Sequence, residues 1–167
     1  GLLNRPGGAP GANGFVVPFV LDTDEVTNYE LGWKLDLADD QVRFNGNAFF
    51  VDIKNLQTTI FDPSITNLFF SDNAANAELM GIEGDVTYAP MDIPGLTLTG
   101  SFSMLDSEIT EVLTPTNDVV AGEELAFAPG LQLNARARYE WDLGNARMAH
   151  VQAQAIYSGE SRSDIIE

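Results

Sequence analysis

Residues 28–37 read Asn28-Tyr29-Glu30-Leu31-Gly32-Trp33-Lys34-Leu35-Asp36-Leu37. Tyr29, Leu31, Trp33, Leu35 and Leu37 fall on one register; Asn28, Glu30, Gly32, Lys34 and Asp36 fall on the other. A period of two is the signature of a strand with one apolar and one polar face, since successive side chains point to opposite sides. The pattern returns in residues 42–50, 81–88, 96–104, 131–141 and 149–158, with no charge on the apolar register of any of them. Phe49 and Ile156 are the large apolar residues that fall on the polar register.

Alternation alone suits a soluble sandwich as well as a membrane barrel. Three features favour the barrel. The segments are about ten residues long, enough to cross a bilayer at a tilt, where soluble strands average five or six. The connections alternate: 38–41, 89–95 and 142–146 are short, whereas 56–75 and 107–129 are long. Outer-membrane barrels keep that rhythm, with tight periplasmic turns and long extracellular loops. Tyr29, Tyr88, Tyr139, Tyr157 and Trp141 lie on the apolar register near segment ends, as interfacial aromatic girdles require, although Trp33 lies mid-strand. The apolar register also uses small residues, among them Ala48, Ala135, Ala137, Ala153 and Ala155, where a sandwich core prefers bulk. The reading is therefore all-β: about six long antiparallel meander strands of a transmembrane β-barrel. Pro18 interrupts a possible further strand at 15–21. Six strands cannot close, because the smallest single-chain barrels have eight, so a partial barrel of a larger protein is expected. Residues 1–25 read as an outer loop, 26–158 as spanning strands and loops, and 159–167 as the start of another outer loop.

Composition narrows the function. Eight Lys and Arg against 25 Asp and Glu give a net charge of −17 over 167 residues. Nucleic acid is excluded as a partner, because phosphate contacts need clustered basic residues. Cysteine is absent, which removes disulfides and thiolate chemistry, and the single histidine, His150, argues against a histidine-built metal site or a catalytic triad. Asp22-Thr23-Asp24-Glu25 lacks the ligand spacing and central glycine of a calcium loop. The glycine-rich stretch Gly7-Gly8 to Gly14 lacks the strand-to-helix context of a phosphate loop. No enzyme, cofactor or metal site is expected. Most of the acids fall in long loops or the strand ends beside them, so the wall is nearly neutral beneath an acidic rim.

Several stretches resemble the barrel of TonB-dependent outer-membrane receptors. Asn28 to Lys34 is similar to the family's NYELG-K strand, and Phe49 to Gln57 to its F-F-x-D-I-x-N-L-Q strand end. Asn73-Ala74-Ala75 with Gly81-Ile82-Glu83, Ala89-Pro90 with Gly95-Leu96-Thr97-Leu98, and Gly122 to Leu125 with Ala128-Pro129 follow in the family's order. The resemblance implies a Gram-negative outer-membrane transporter that imports a scarce nutrient, such as siderophore-bound iron, cobalamin, haem or an oligosaccharide. It implies as partners outer-membrane lipid and lipopolysaccharide, a plug domain, the TonB complex and the small-molecule nutrient. Plug, TonB box, signal peptide and terminal aromatic residue are not visible in the 167 residues, which would make this segment wall and outer loops.

Glu30, Lys34, Arg43, Glu83, Asp85, Arg136, Arg138 and Glu140 are the candidates for the barrel interior, touching plug or substrate path, or pairing with one another across strands. Arg136 and Arg138 opposite Glu83 and Asp85 would make a typical interior charge network. Leu68, Phe69 and Phe70 sit within a long loop, where exposed apolar groups need a partner: ligand, or adjacent loops. Two other architectures fit the alternation. One is a self-contained eight-stranded outer-membrane barrel with a structural or adhesive role; the other is a secreted soluble β-sandwich that binds carbohydrate.

Overall fold

The computed structural model describes residues 14–61, 63, 69–116, 118–126 and 128–161. They form β1 (Glu25–Leu37), β2 (Val42–Ile60), β3 (Phe70–Tyr88), β4 (Leu96–Val112), β5 (Leu131–Gly144) and β6 (Arg147–Ser158). The strands lie in one sheet in chain order, each neighbour antiparallel, so β1 and β6 are its two edges. A single sheet is not a sandwich, and the meander expected from the alternation is the architecture observed.

Register decides what the alternation means, because a slip of one residue would turn a strand's apolar set to the opposite face. No such slip occurs through the alternating region. One row across the sheet reads Leu35, Phe44, Val86, Gly100, Ala135, Ala155; the next reads Trp33, Gly46, Gly84, Phe102, Leu133, Tyr157. Every apolar register thus joins one continuous uncharged face. Its large residues stand exposed, Leu31 at 70% and Val151 at 59%, which in water would be a large unfavourable patch. From Val42 to Phe50 the apolar register of β2 covers roughly 27 Å of strand at 3.4 Å per residue. Tilted at about 40°, that projects to roughly 20 Å, close to the apolar band of an outer-membrane barrel.

Glycine lets aromatic rings lie flat on this face. A Cβ on Gly46 would come within 2.3 Å of the Trp33 ring, which explains why Trp33 sits mid-strand and not in an interfacial girdle. Phe44 stands 6.1 Å from Trp33, and both Phe44 and Phe102 crowd Gly84. At the lower interface Tyr139 and Trp141 stack at 5.9 Å.

The lower connections are tight. Asn145 and Ala146 both have positive φ, 53° and 58°, the requirement of a two-residue type I′ hairpin. The Gln41 side chain donates to the Ala38 carbonyl (3.0 Å) and accepts from the Met91 amide (3.0 Å), tying the β1–β2 turn to the β3–β4 turn. Gly95, at φ +88°, tucks the β3–β4 turn against β5, where its carbonyl accepts from the Glu140 amide at 2.9 Å.

The upper ends depart from the sequence reading. About half of 56–75 and the first six residues of 107–129 are strand and not loop: β2 runs on to Ile60, β3 starts at Phe70 and β4 reaches Val112. The two faces also exchange character there. Above Phe50 and Met80 the formerly apolar face carries Asp52, Glu78, Asp106 and Glu108, while the polar face turns apolar with Phe49, Val51, Ile53, Leu79 and Leu105. This reversal hides the strand extensions from a search for one constant register, and bulges near Asn55 and Asn76 add to the disguise. The exchange also supplies a small upper core. Ile60, Phe70, Ala74, Ala75, Ile109 and Val119 are buried, with Phe15, Val17, Val112 and Leu125 packed against them. Residues 15–21 lie over this core without forming a strand, as Pro18 dictates.

Candidate functional site

The polar face curves into a trough of about 950 Å³ crossing all six strands. Two polar rows supply most of its lining. One reads Gly32, Asn47, Glu83, Ser103, Gln132, Ser158; the other reads Lys34, Asn45, Asp85, Ser101, Asn134, Ile156. Amides and hydroxyls outnumber charges here, and they bond across strands: Asn45 donates to Asp85 (3.0 Å) and Gln154 to Asn134 (3.0 Å). The alternation contained these uncharged residues, but charge was the property by which candidates were singled out, so they were missed.

Of the eight charged candidates, Lys34, Glu83 and Asp85 line the trough. Glu30 lies one row above, where it accepts from the Asn28 amide group. Arg43 and Arg136 share the row below, with Arg43 held by Asp36 at 2.8 Å. Arg138 pairs with Glu140 on its own strand, near the lower rim. The expected pairing of Arg136 and Arg138 with Glu83 and Asp85 is not what the fold makes. β4 separates the two groups, and each of Asp85 and Arg138 is bonded to a nearer partner. These ion pairs are solvent-exposed and screened, so they shape the wall more than they stabilise it.

The upper aromatic candidates separate. Phe70 is 4% exposed and faces Phe15 at 5.7 Å in the upper core. Phe69 is 74% exposed and stacks on Phe61 at 4.6 Å, beside the tip of the β2–β3 hairpin. Leu68 lies outside the described residues. Lys54 is the one basic residue among the described residues of the upper ends and their connections. Among the described residues, no three acidic or histidine side chains gather closely enough to hold a metal ion.

A continuous uncharged band, a polar trough behind it and tight turns at one end are the parts of an outer-membrane barrel wall. Comparison with known families matches residues 3–165, nearly the whole chain, to the "TonB dependent receptor-like, beta-barrel" family. The chain belongs to the TonB-dependent receptor family. Family members are outer-membrane receptors and transporters of Gram-negative bacteria, and the family is not an enzymatic one. Among curated proteins, the receptor segment is similar to the metal-pseudopaline receptors CntO of Pseudomonas aeruginosa strains UCBPP-PA14 and PAO1. Each is 29% identical over 143 residues, covering 86% of this chain and 19% of the relative. The chain thus spans about a fifth of the length of the curated relatives it matches.

Proposed function

We propose that this chain is a wall and outer-loop segment of a longer TonB-dependent transporter in a Gram-negative outer membrane, and that its cargo is a small metal chelate. The observation that carries the reading is the two-faced sheet: an uncharged band fit for lipid, backed by a polar trough. That the similar proteins are named metal-pseudopaline receptors supports the cargo class. The apolar face meets lipid and the lower leaves of lipopolysaccharide. The trough, with Lys34, Glu83 and Asp85, faces the interior and a plug domain, and Glu30, Arg43, Arg136, Arg138 and Glu140 continue that interior wall. The exposed Phe61–Phe69 pair stands where incoming cargo first meets the barrel, whereas Phe70 holds the scaffold. Coupling to the TonB complex resides in the part of the receptor outside this segment.

The test is uptake of radiolabelled metal chelates by cells with and without the gene, in backgrounds with and without TonB. The expected result is chelate accumulation that needs both. Uptake that needs the gene but not TonB overturns the energy coupling. Gene-independent uptake of every chelate, alongside gene-dependent uptake of an oligosaccharide, overturns the cargo class.

A further inference from the structure

The uncharged face is not even. Across β2 to β6 one of its rows dips into a groove of about 490 Å³. Gly100, Ala135 and Ala155, side by side on β4, β5 and β6, form its floor. A Cβ on Gly100 would stand 3.3 Å from Val86 Cγ1, so glycine keeps the floor low beside that wall. Phe44 and Val86 bound the groove on the β2–β3 side. Phe102, Leu133 and Tyr157, adjacent in the row above, close its upper end. The row below has no such wall on β5 and β6, where Ala137 pairs with Ala153. The low floor therefore continues downward as a lane of four alanines. Beneath it come Tyr139 with Val151, then Trp141 with Ala149.

Surroundings, length and charge together say what fills this lane. It lies within the uncharged band, where the medium is hydrocarbon, and an unfilled groove forfeits the dispersion contacts of its lining. A second copy docked about a two-fold axis through the groove would set groove against groove; a flexible acyl chain fits the depression. The length is that of one leaflet. Ala149 to Ala155 covers roughly 20 Å of strand at 3.4 Å per residue. Tilted at about 40°, that projects to roughly 16 Å, about half the hydrocarbon thickness of a bilayer. Charge sets the leaflet. Arg147, two residues before Ala149, falls on the same register and is exposed at the foot of the lane. It lies just below the stacked Tyr139–Trp141 pair, at the height of headgroup phosphates. Above the band the same face carries Asp52, Glu78, Asp106 and Glu108, which repel a phosphorylated headgroup.

We propose that this lane seats one acyl chain of a glycerophospholipid from the lower, periplasmic leaflet. Its phosphate is held at Arg147, and the chain lies along β5–β6 up to the ridge of Phe102, Leu133 and Tyr157. The proposal rests on the reading of the uncharged face as lipid-facing, and adds a fixed site to a surface otherwise met by exchanging lipid.

The full-length receptor in phospholipid vesicles, with a trace of phosphatidylethanolamine carrying a photoreactive diazirine in its acyl chain, tests this. Labelled peptides are mapped by mass spectrometry after illumination. Peptides of 131–141 and 149–158 should label several-fold more than that of 29–37. Equal labelling of the three overturns the seat and leaves the lipid-facing reading standing, whereas labelling of none overturns that reading as well. Ala153→Leu raises the floor while keeping the face apolar, and should abolish the excess. Ala48→Leu, on the same face outside the lane, should keep it. Arg147→Gln should lower it. An excess that survives Ala153→Leu or Arg147→Gln unchanged overturns the seat. Should Ala153→Leu fail to assemble, Ala137→Leu takes its place with the same expectation. An excess given by diazirine-bearing lipopolysaccharide and not by phosphatidylethanolamine overturns the phospholipid.

Discussion

Replacing Gly95 by alanine strikes the lower turn that rests against β5. Two penalties combine there. At φ +88° a Cβ is conformationally strained, costing about 1–2 kcal/mol for an L-residue in left-handed backbone. The new Cβ would also stand 2.1 Å from the Glu140 carbonyl oxygen, more than 1 Å inside ordinary contact, and that atom is backbone within β5. The turn has to withdraw, which removes the bond from the Glu140 amide to the Gly95 carbonyl, worth about 1 kcal/mol. The expected loss is therefore about 2–3 kcal/mol. Gly144→Ala is the control, because Gly144 has a similar φ of +77° but nothing within 4 Å of its Cβ position. It should lose about 1–2 kcal/mol through backbone strain alone. Urea unfolding of the purified receptor in detergent measures both, the midpoints being converted at a common slope. Equal losses for the two variants would refute the reasoning, since they would show that the β3–β4 turn does not rest against Glu140.

Other expectations follow from the two faces and the acidic rim. Ala135→Arg, in the middle of the uncharged band, should cost roughly 2–4 kcal/mol and depress assembly into the outer membrane; Asn134→Arg, one residue away on the trough, should assemble like the parent, as heat-modifiable gel migration would show. Gly46→Val should eject Trp33 from its seat on β2 and shift its fluorescence, because a Cβ there overlaps the ring. Phe69→Ala should lower uptake of the chelate without changing assembly, whereas Phe70→Ala should cost about 3–5 kcal/mol of stability by opening a cavity beside Phe15 and Ile60. With Lys54 the single described cation among the upper acids, raising ionic strength should speed uptake of an anionic chelate and slow that of a cationic one.

How far the fold was legible follows from where one physical rule applies. Inside the bilayer band the surroundings are constant, lipid on one side and a wet interior on the other, so each strand repeats the same register. The pairing of Leu35, Phe44, Val86, Gly100, Ala135 and Ala155 in one row confirms what six separate alternations implied. At Phe49-Phe50 that constancy ends. Phe50 is the last apolar residue of the lipid-side register on β2, and Phe49, whose ring lies over Gly81, is the first of the inner apolar set. Beyond them both environments change at once: the outer side meets water and headgroups, and the inner side meets the chain's own folded connections. A strand crossing that border must swap its registers, and a reading tuned to one register sees the swap as loop. The same border explains the candidates. Lys34, Glu83 and Asp85 lie below it, in the two polar rows that line the trough, so alternation was enough to put them on that face. Phe69 and Phe70 lie above it, where adjacent residues of one type divide between solvent and core according to Phe15, a partner more than fifty positions away that no local pattern names. The apolar doublet at 49–50 is thus the trace of the membrane boundary itself, and comparable doublets should mark the height at which the wall of this receptor leaves the lipid.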